Sequence, residues 1–289
     1  MSRLTKRFEV LKARNEKALV CFITAGDPVD QNTVDIVLDL DKAGADIIEI
    51  GIPFSDPLAD GPTIQASSQR ALEGGMTTRK VLEIVRQVRA ASPDLPIVLM
   101  TYYNPLLRYG LARYAQDASE AGADAHIVTD LTPEEAGEWK RLSDANALDT
   151  IFLVAPTSTA ERIARVASLS SGFIYCVSRT GVTGVGGASK DIDNVKGLEE
   201  SGRRQDLNEK TMPIELIDVI NQIKAATTLP ICVGFGISTA AHVRRIGAYS
   251  DGVVVGSRLV DLIHTQQGHE LHTVVDYVKS LKASTKNID

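Results

Sequence analysis

Cysteine is scarce: Cys21, Cys176 and Cys232 are the only three in 289 residues, far apart and each inside an apolar run. That usage fits small buried hydrophobes in a reducing compartment better than a disulfide scaffold. No apolar run approaches the roughly 20 residues of a membrane span. The first residues, MSRLTKRFEVLKARNEKALV, are basic early but carry no apolar signal core and no cleavage pattern. A cytoplasmic protein with no membrane partner is therefore expected. Positive charge is not in excess: 31 Lys and Arg against 37 Asp and Glu leave a net charge of -6, which argues against nucleic acid as a partner. There is no P-loop, no G-x-S-x-G, no H-x-H and no H-E-x-x-H, and no glycine-rich dinucleotide fingerprint follows the first strand-like run.

What is present is ordinary globular composition, 44% hydrophobic and 24% charged, enough for a sizeable core in one large or two small domains. Eight short apolar runs read as strands: LVCFI (19–23), DIIEI (46–50), PIVLMT (96–101), AHIVT (125–129), TIFLV (150–154), FIYCV (173–177), PICVG (230–234) and GVVVG (252–256). Their nearly continuous apolar character marks parallel strands covered on both faces. Helix-period segments lie between them. One repeats Val81, Ile84, Val85 and Val88, another ends at Gly44, and a third opens on Thr132 as N-cap with Pro133 in the first turn. Alternation of this kind predicts a single (β/α)8 barrel over 1–289, with an open doubly wound sheet as the alternative. Extended loops are expected after the second and sixth strands. The second of these runs into a charged insertion at about 185–213, read as a solvated tract.

The sharpest local feature is EIGIPFSDPLADGPTIQ (49–65). Glu49 interrupts an apolar strand. A carboxylate buried there costs several kcal/mol unless it is paired or neutral. Burial raises its pKa and makes it a candidate acid/base at neutral pH; a structural acid paired to a buried donor is the competing reading. Asp56 and Asp60 follow in a proline-stiffened loop. Each alone is a common turn former, and it is their concentration beside Glu49 that carries weight.

Glycines end the last two strands, in GFGIS (234–238) and at Gly256-Ser257, where barrels commonly hold a phosphate on backbone N–H groups. TGVTG (180–184) adds glycines that could close over a ligand. None of the eight strands contains a lysine, so a Schiff-base aldolase lacks its nucleophile. His264, His269 and His272 cluster after the last strand and read as a solvated helix entry rather than a metal site. Acid/base chemistry on a phosphorylated compound, without metal or covalent intermediate, remains.

The segments CFITAGDP, EIGIPFSDPLADGPTIQ, TYYNP, IFLVAPTST, YCVSRTGVTG and VGFGIS resemble the tryptophan synthase alpha subunit family, in order and over nearly the whole chain. The resemblance implies a (β/α)8 barrel that cleaves indole-3-glycerol phosphate to indole and glyceraldehyde 3-phosphate. It implies no cofactor in this chain and a beta subunit partner, in an alpha2-beta2 complex, whose pyridoxal phosphate joins indole to serine. By position, Glu49 would be the acid/base and Asp60 the carboxylate that pairs with the indole N–H. Thr183 would help close a lid. Phe22, Tyr102, Tyr175 and Phe235 would line the pocket. Gly184, Gly236, Gly256 and Ser257 would contact the phosphate. Asp56 lies on the loop face that docks the beta subunit in that family. Two departures stand out: IVTDLT (127–132) replaces the usual IVPDLP, with His126 before it near the expected indole pocket, and the tract after TGVTG is longer than usual.

Three functional readings follow: an indole-releasing lyase working in a complex, a stand-alone lyase releasing free indole, and a non-catalytic subunit that activates a beta partner. Intact Glu49 and Asp60 speak against the third.

Overall fold

The computed structural model describes residues 2–29, 32–178, 213–234, 236–266 and 271–288. Its strands are β1 (Ala18–Thr24), β2 (Ile47–Gly51), β3 (Ile97–Thr101), β4 (Ala125–Val128), β5 (Asp149–Ile151), β6 (Leu153–Val154), β7 (Ile174–Val177), β8 (Ile231–Gly234) and β9 (Gly252–Val255). They form one parallel sheet in the order β5-β4-β3-β2-β1-β9-β8-β7-β6. The two ends of that order are joined by a single residue. Phe152 separates β5, which pairs with β4, from β6, which pairs with β7. The expected fifth strand TIFLV is thus two half-strands, each bonded to a different neighbour, and through them the sheet closes as an eight-membered barrel. The Phe152 carbonyl accepts from Tyr175 N at 3.1 Å, so the break leaves no gap in the pairing.

The pleat sorts side chains between two cores. Ala18, Val20, Ile47, Val98, Ala125, Ile127, Ile151, Tyr175, Cys232 and Val254 fill the barrel interior. Their neighbours Leu19, Cys21, Ile48, Ile50, Leu99, Cys176 and Val233 face the surrounding helices. Helix α1 (Arg3–Ala13) puts Leu4, Phe8 and Leu11 into the interior cluster, with Phe8 6.0 Å from Phe173, and closes the end where the strands begin. The opposite end, where the strands finish, is left for chemistry.

Four reciprocal pairs brace the closed end. Asp46, Asp124 and Asp251 each donate a backbone N–H to the carbonyl of Leu19, Ile97 and Ile231, at 2.9 Å. Each then accepts that same residue's N–H on its carboxylate, at 2.8, 2.8 and 2.9 Å. Thr150 and Ser171 repeat the pattern, with the serine hydroxyl in the carboxylate's role. Each pair ties the start of one strand to the approach to a later one, β1 to β2, β3 to β4, β5 to β7 and β8 to β9, and satisfies N–H groups that the first rung of a sheet leaves orphaned.

The outer helices are α2 (Thr33–Ala43), α3 (Pro62–Glu73), α4 (Thr78–Ala91), α5 (Tyr103–Tyr109), α6 (Leu111–Ala121), α7 (Gly137–Ala145), α8 (Ala160–Leu169), α9 (Ile214–Ala226), α10 (Ala240–Gly247), α11 (Ser257–Thr265) and α12 (His272–Ala283). Asn32, Thr77, Thr159 and Thr239 cap α2, α4, α8 and α10 by accepting N–H bonds in the first turn. Gly44 ends α2 at φ 104°, as its position in the sequence predicts. One correction follows. Helix α7 starts at Gly137, not after Thr132: the Thr132 hydroxyl bonds the Glu135 carboxylate, and residues 133–136 form turns. The span between the second and third strands holds two helices, because Pro62 begins α3 directly after the acidic loop.

Candidate active site

Strand β2 decides where Glu49 points. Ile47 lies in the barrel interior and Ile48 and Ile50 face the helices, so the pleat turns Glu49 inward, between Phe22 of β1 and Val98 of β3. The side chain is 1% exposed and its Oε2 has no hydrogen-bond partner among the described residues. Burial first, and the charge of Asp60 second, push its pKa up to about 8. Glu49 is therefore protonated at neutral pH, and no donor among the described residues pairs with Oε2 to account for it structurally.

Asp60 arrives from the loop after β2. Turns close that loop, with Leu58 N donating to Asp56 O at 2.9 Å and Asp60 N to Pro57 O at 3.0 Å, and Gln65 of α3 holds the Asp60 carbonyl at 2.8 Å. The Asp60 carboxylate is buried. Burial pushes its pKa up to about 6, against the opposing pull of the Tyr102 hydroxyl, which donates to Oδ2 at 2.9 Å. The two carboxyls thus sit on opposite sides of neutrality, Glu49 as an acid and Asp60 as an anion, a division of roles set by environment.

Aromatic side chains wall this pair. The inward Tyr175 of β7 carries its hydroxyl across β8, and the charges of Glu49 and Asp60 both act on it, after burial, to disfavour its ionisation. Phe22 packs with Ile64 of α3 and Val260 of α11, and its ring occupies the space that a Cβ on Gly51 would need, 2.7 Å from Cζ. Tyr102 follows β3 and is stacked on Phe54 with ring centroids 5.2 Å apart. At the last two strands, Gly236 takes φ +81° in the bend after β8, and Gly256 caps α11, whose first turn begins at Ser257 and holds no acidic residue. A helix start of that kind suits an anion.

Phe22, Glu49 and Tyr175 lie within β1, β2 and β7, while Asp60, Tyr102, Gly236, Gly256 and Ser257 follow the C-terminal ends of β2, β3, β8 and β9. Thr183, Gly184 and Phe235, like the insertion at 185–213 up to residue 212, lie outside the described residues. Asp56 is exposed on the loop, accepting from the Ser55 hydroxyl. His126 does not approach the pocket. It is buried on the helix side of β4, 3.0 Å from the Tyr114 hydroxyl and with its ring 5.3 Å from that of Trp139, and burial lowers its pKa to about 3. Its neighbour Ile127 is the one that faces inward. His264 ends α11 near Asp27 and His272 opens α12, while His269 lies outside the described residues. Sequence reasoning passed over Phe54 and Gly51, and read Gly234 only as part of a phosphate-holding turn; the two glycines make room for Phe22 and Tyr175. The glycines were visible as small residues at the ends of otherwise bulky strands.

A parallel (β/α)8 barrel holding a neutral and an anionic carboxyl at the C-terminal ends of its strands is the frame of an acid/base enzyme. The sequence model described as "Tryptophan synthase alpha chain" matches residues 8–200 and 205–287, interrupted only inside the charged tract. The tryptophan synthase alpha chain of Desulfatibacillum aliphaticivorans is 48% identical over 99% of this chain and 100% of its own length. That of Geotalea uraniireducens is 46% identical over 100% and 99%. The solved tryptophan synthase subunit alpha of Legionella pneumophila superposes with a TM-score of 0.83 at 35% identity, covering 99% of this chain and 98% of its own. The aminoacrylate-bound tryptophan synthase of M. tuberculosis superposes with a TM-score of 0.81 at 32% identity, over 99% of this chain and 100% of that one. The chain belongs to the tryptophan synthase alpha chain family. Its reaction is the carbon–carbon lyase step in which indole-3-glycerol phosphate yields indole for a beta subunit.

Proposed function

We propose that Glu49 and Asp60 carry this lyase reaction, and the observation that supports it is the buried, protonated Glu49 with an unpartnered Oε2 beside an ionised Asp60. Glu49 delivers its proton to indole C3, and the ring nitrogen becomes positive. Asp60 pairs with that N–H, where charge develops. The hydroxyl on the carbon attached to the ring then loses its proton to the Glu49 carboxylate. The bond from that carbon to C3 breaks, its electron pair restores the aromatic ring, and the carbon becomes the aldehyde of glyceraldehyde 3-phosphate. Protons and electrons balance without an added co-reactant. Phe22, Tyr175 and Phe235 line the indole and glycerol pocket. Gly184, Gly236, Gly256 and Ser257 hold the phosphate, and Thr183 helps close the lid.

The chain itself uses no cofactor in this scheme. The partner is a beta subunit carrying pyridoxal phosphate, in an alpha2-beta2 complex docked through the loop that bears Asp56, in the cytoplasm. No helix among the described residues is long and apolar enough to cross a membrane. The test is indole release from indole-3-glycerol phosphate by wild type and Glu49→Gln, alone and with a beta subunit added. Release that rises with the beta subunit and vanishes in the variant supports the reading. A full rate that ignores the beta subunit indicates a stand-alone lyase, and no release under either condition a non-catalytic activator.

A further inference from the structure

Tyr102 holds more of the acidic loop than its place in the pocket wall requires. Its hydroxyl accepts the N–H of Ala59 at 3.0 Å and donates to Oδ2 of Asp60 at 2.9 Å, and its ring lies 5.2 Å from that of Phe54. Three residues of one loop therefore close on a single side chain from the neighbouring strand end. The direction of the bonds is fixed by chemistry. A backbone N–H can only donate, so it takes a lone pair of the hydroxyl, and the one phenolic proton is left for an ionised carboxylate that can only accept. Asp60 is thereby held by Oδ2, and among the described residues no bond engages Oδ1, the oxygen that can take a ligand.

Resting on the assignment of Asp60 made above, we propose that Tyr102 is the positioning residue of the reaction: its hydroxyl clasps the loop at Ala59 and orients the Asp60 carboxylate toward the indole N–H, independently of the contact its ring makes. The same bond favours the charged form of Asp60. Among the described residues, the titratable groups that face Asp60 are Glu49 from β2 and Tyr175 from β7, both uncharged at neutral pH, and Tyr102 itself. Loss of the hydroxyl leaves burial unopposed and moves the titration of Asp60 upward.

Tyr102→Phe separates the two roles, since it keeps the ring and removes only the hydroxyl, with its bonds to Ala59, Asp60 and the Thr129 side chain. Expected are a kcat lowered about 10- to 100-fold, a KM for indole-3-glycerol phosphate changed less than about 3-fold, and an acidic limb of the kcat/KM profile displaced to higher pH. Placed in Asp60→Asn, the same change should cost little further, because the group it orients is gone. Thermal melting of each variant reports whether the barrel is intact. An unmoved acidic limb, or a loss that simply multiplies with that of Asp60→Asn, overturns the positioning role and leaves Tyr102 as a wall. Full activity in Asp60→Asn alone overturns the assignment of Asp60 itself, a separate result from the Tyr102 comparison.

Discussion

A Cβ built on Gly234 lies 2.1 Å from the Tyr175 hydroxyl oxygen and 2.5 Å from its Cζ, so the tyrosine occupies the volume that any larger residue on β8 would need. The obstacle is a ring, fixed between strands, and it cannot swing aside as a lysine tip could. Gly234→Ala should push Tyr175 off its position over the carboxyl pair. Overpacking of this kind costs about 1–3 kcal/mol. The expected result is a lower melting temperature together with a raised KM. With the ring gone the clash disappears, so adding Gly234→Ala to Tyr175→Leu should cost no further melting temperature, while the KM stays raised. An unchanged melting temperature in the single variant would contradict the packing argument.

Glu49→Gln should lose activity and gain stability. Removal of a positioned acid/base typically costs about 10²–10⁴ in rate. The stability sign follows from the proton. Glu49 titrates at about 8 in the folded chain against an ordinary 4.5. Between those values the folded state keeps a proton that the unfolded chain releases, so stability falls as pH rises through the window, and the loss is complete above it. The amide never ionises. Near pH 9 the variant should be more stable than wild type by about 2–4 kcal/mol, and near pH 4 the two should converge. Urea unfolding at both pH values measures the difference.

The rate should pass through a maximum with pH. The reaction needs Asp60 ionised, above about 6, and Glu49 protonated, below about 8. The two groups repel one another, so the limbs of kcat/KM belong to the pair as coupled titrations. Asp60→Asn should abolish the acidic limb at a reduced plateau. A profile flat from about pH 5 to 9 would remove the division of roles.

At the far end of the barrel, Asp124 accepts the Ile97 N–H at 2.8 Å and binds Arg3 and Arg89 at 3.0 and 2.9 Å, while 4% exposed. Asp124→Ala would strand the Ile97 N–H and remove the carboxylate that Arg3 and Arg89 share, leaving them only carbonyl partners such as Pro93 and Gly122. About 2–4 kcal/mol of stability should be lost, with kcat for the folded fraction unchanged, because this end carries no chemistry. A variant that melted like wild type would show the clasp at Asp124 to be ornamental to folding.

Much of this was legible in the chain, for identifiable reasons. Strands covered on both faces read as unbroken apolar runs, and Glu49 stood out because it broke one. Helix α6 was harder to see, since its buried face is Leu111, Tyr114, Ala115, Ala118 and Ala121, mostly alanine and weak in hydrophobic contrast. The face of α3 uses Ser67, Ser68 and Ala71 in the same way. The expected N-cap at Thr132 failed because its side chain closes on the Glu135 carboxylate instead of on a helix start. Within the site, residue types were visible but their pairing was not. Tyr102 and Asp60 meet across 42 positions, a contact that only the closure of β2 against β3 creates. His126 reads as a pocket residue by its place near a strand end, yet the parity of the pleat sends it to the helix layer.

The last prediction concerns the loop that joins the chemistry to the outside. Leu58, 87% exposed, and the exposed Asp56 stand on the outer side of the turn whose inner side delivers Asp60. A beta subunit that binds only the closed loop must stabilise it, by linkage. The isolated chain should therefore release indole slowly, and a cognate beta subunit should raise its turnover. A coupling of about 1–3 kcal/mol corresponds to about 5- to 150-fold. Asp56→Ala should lose much of that activation and little of the basal rate, because the Asp56 side chain is exposed and, among the described residues, accepts a hydrogen bond from Ser55 alone. Titrating the beta subunit into wild type and Asp56→Ala, while following indole, measures both quantities at once. Equal activation of the two proteins would place the docking contact elsewhere on the barrel, and a high basal rate with no response would favour the stand-alone lyase.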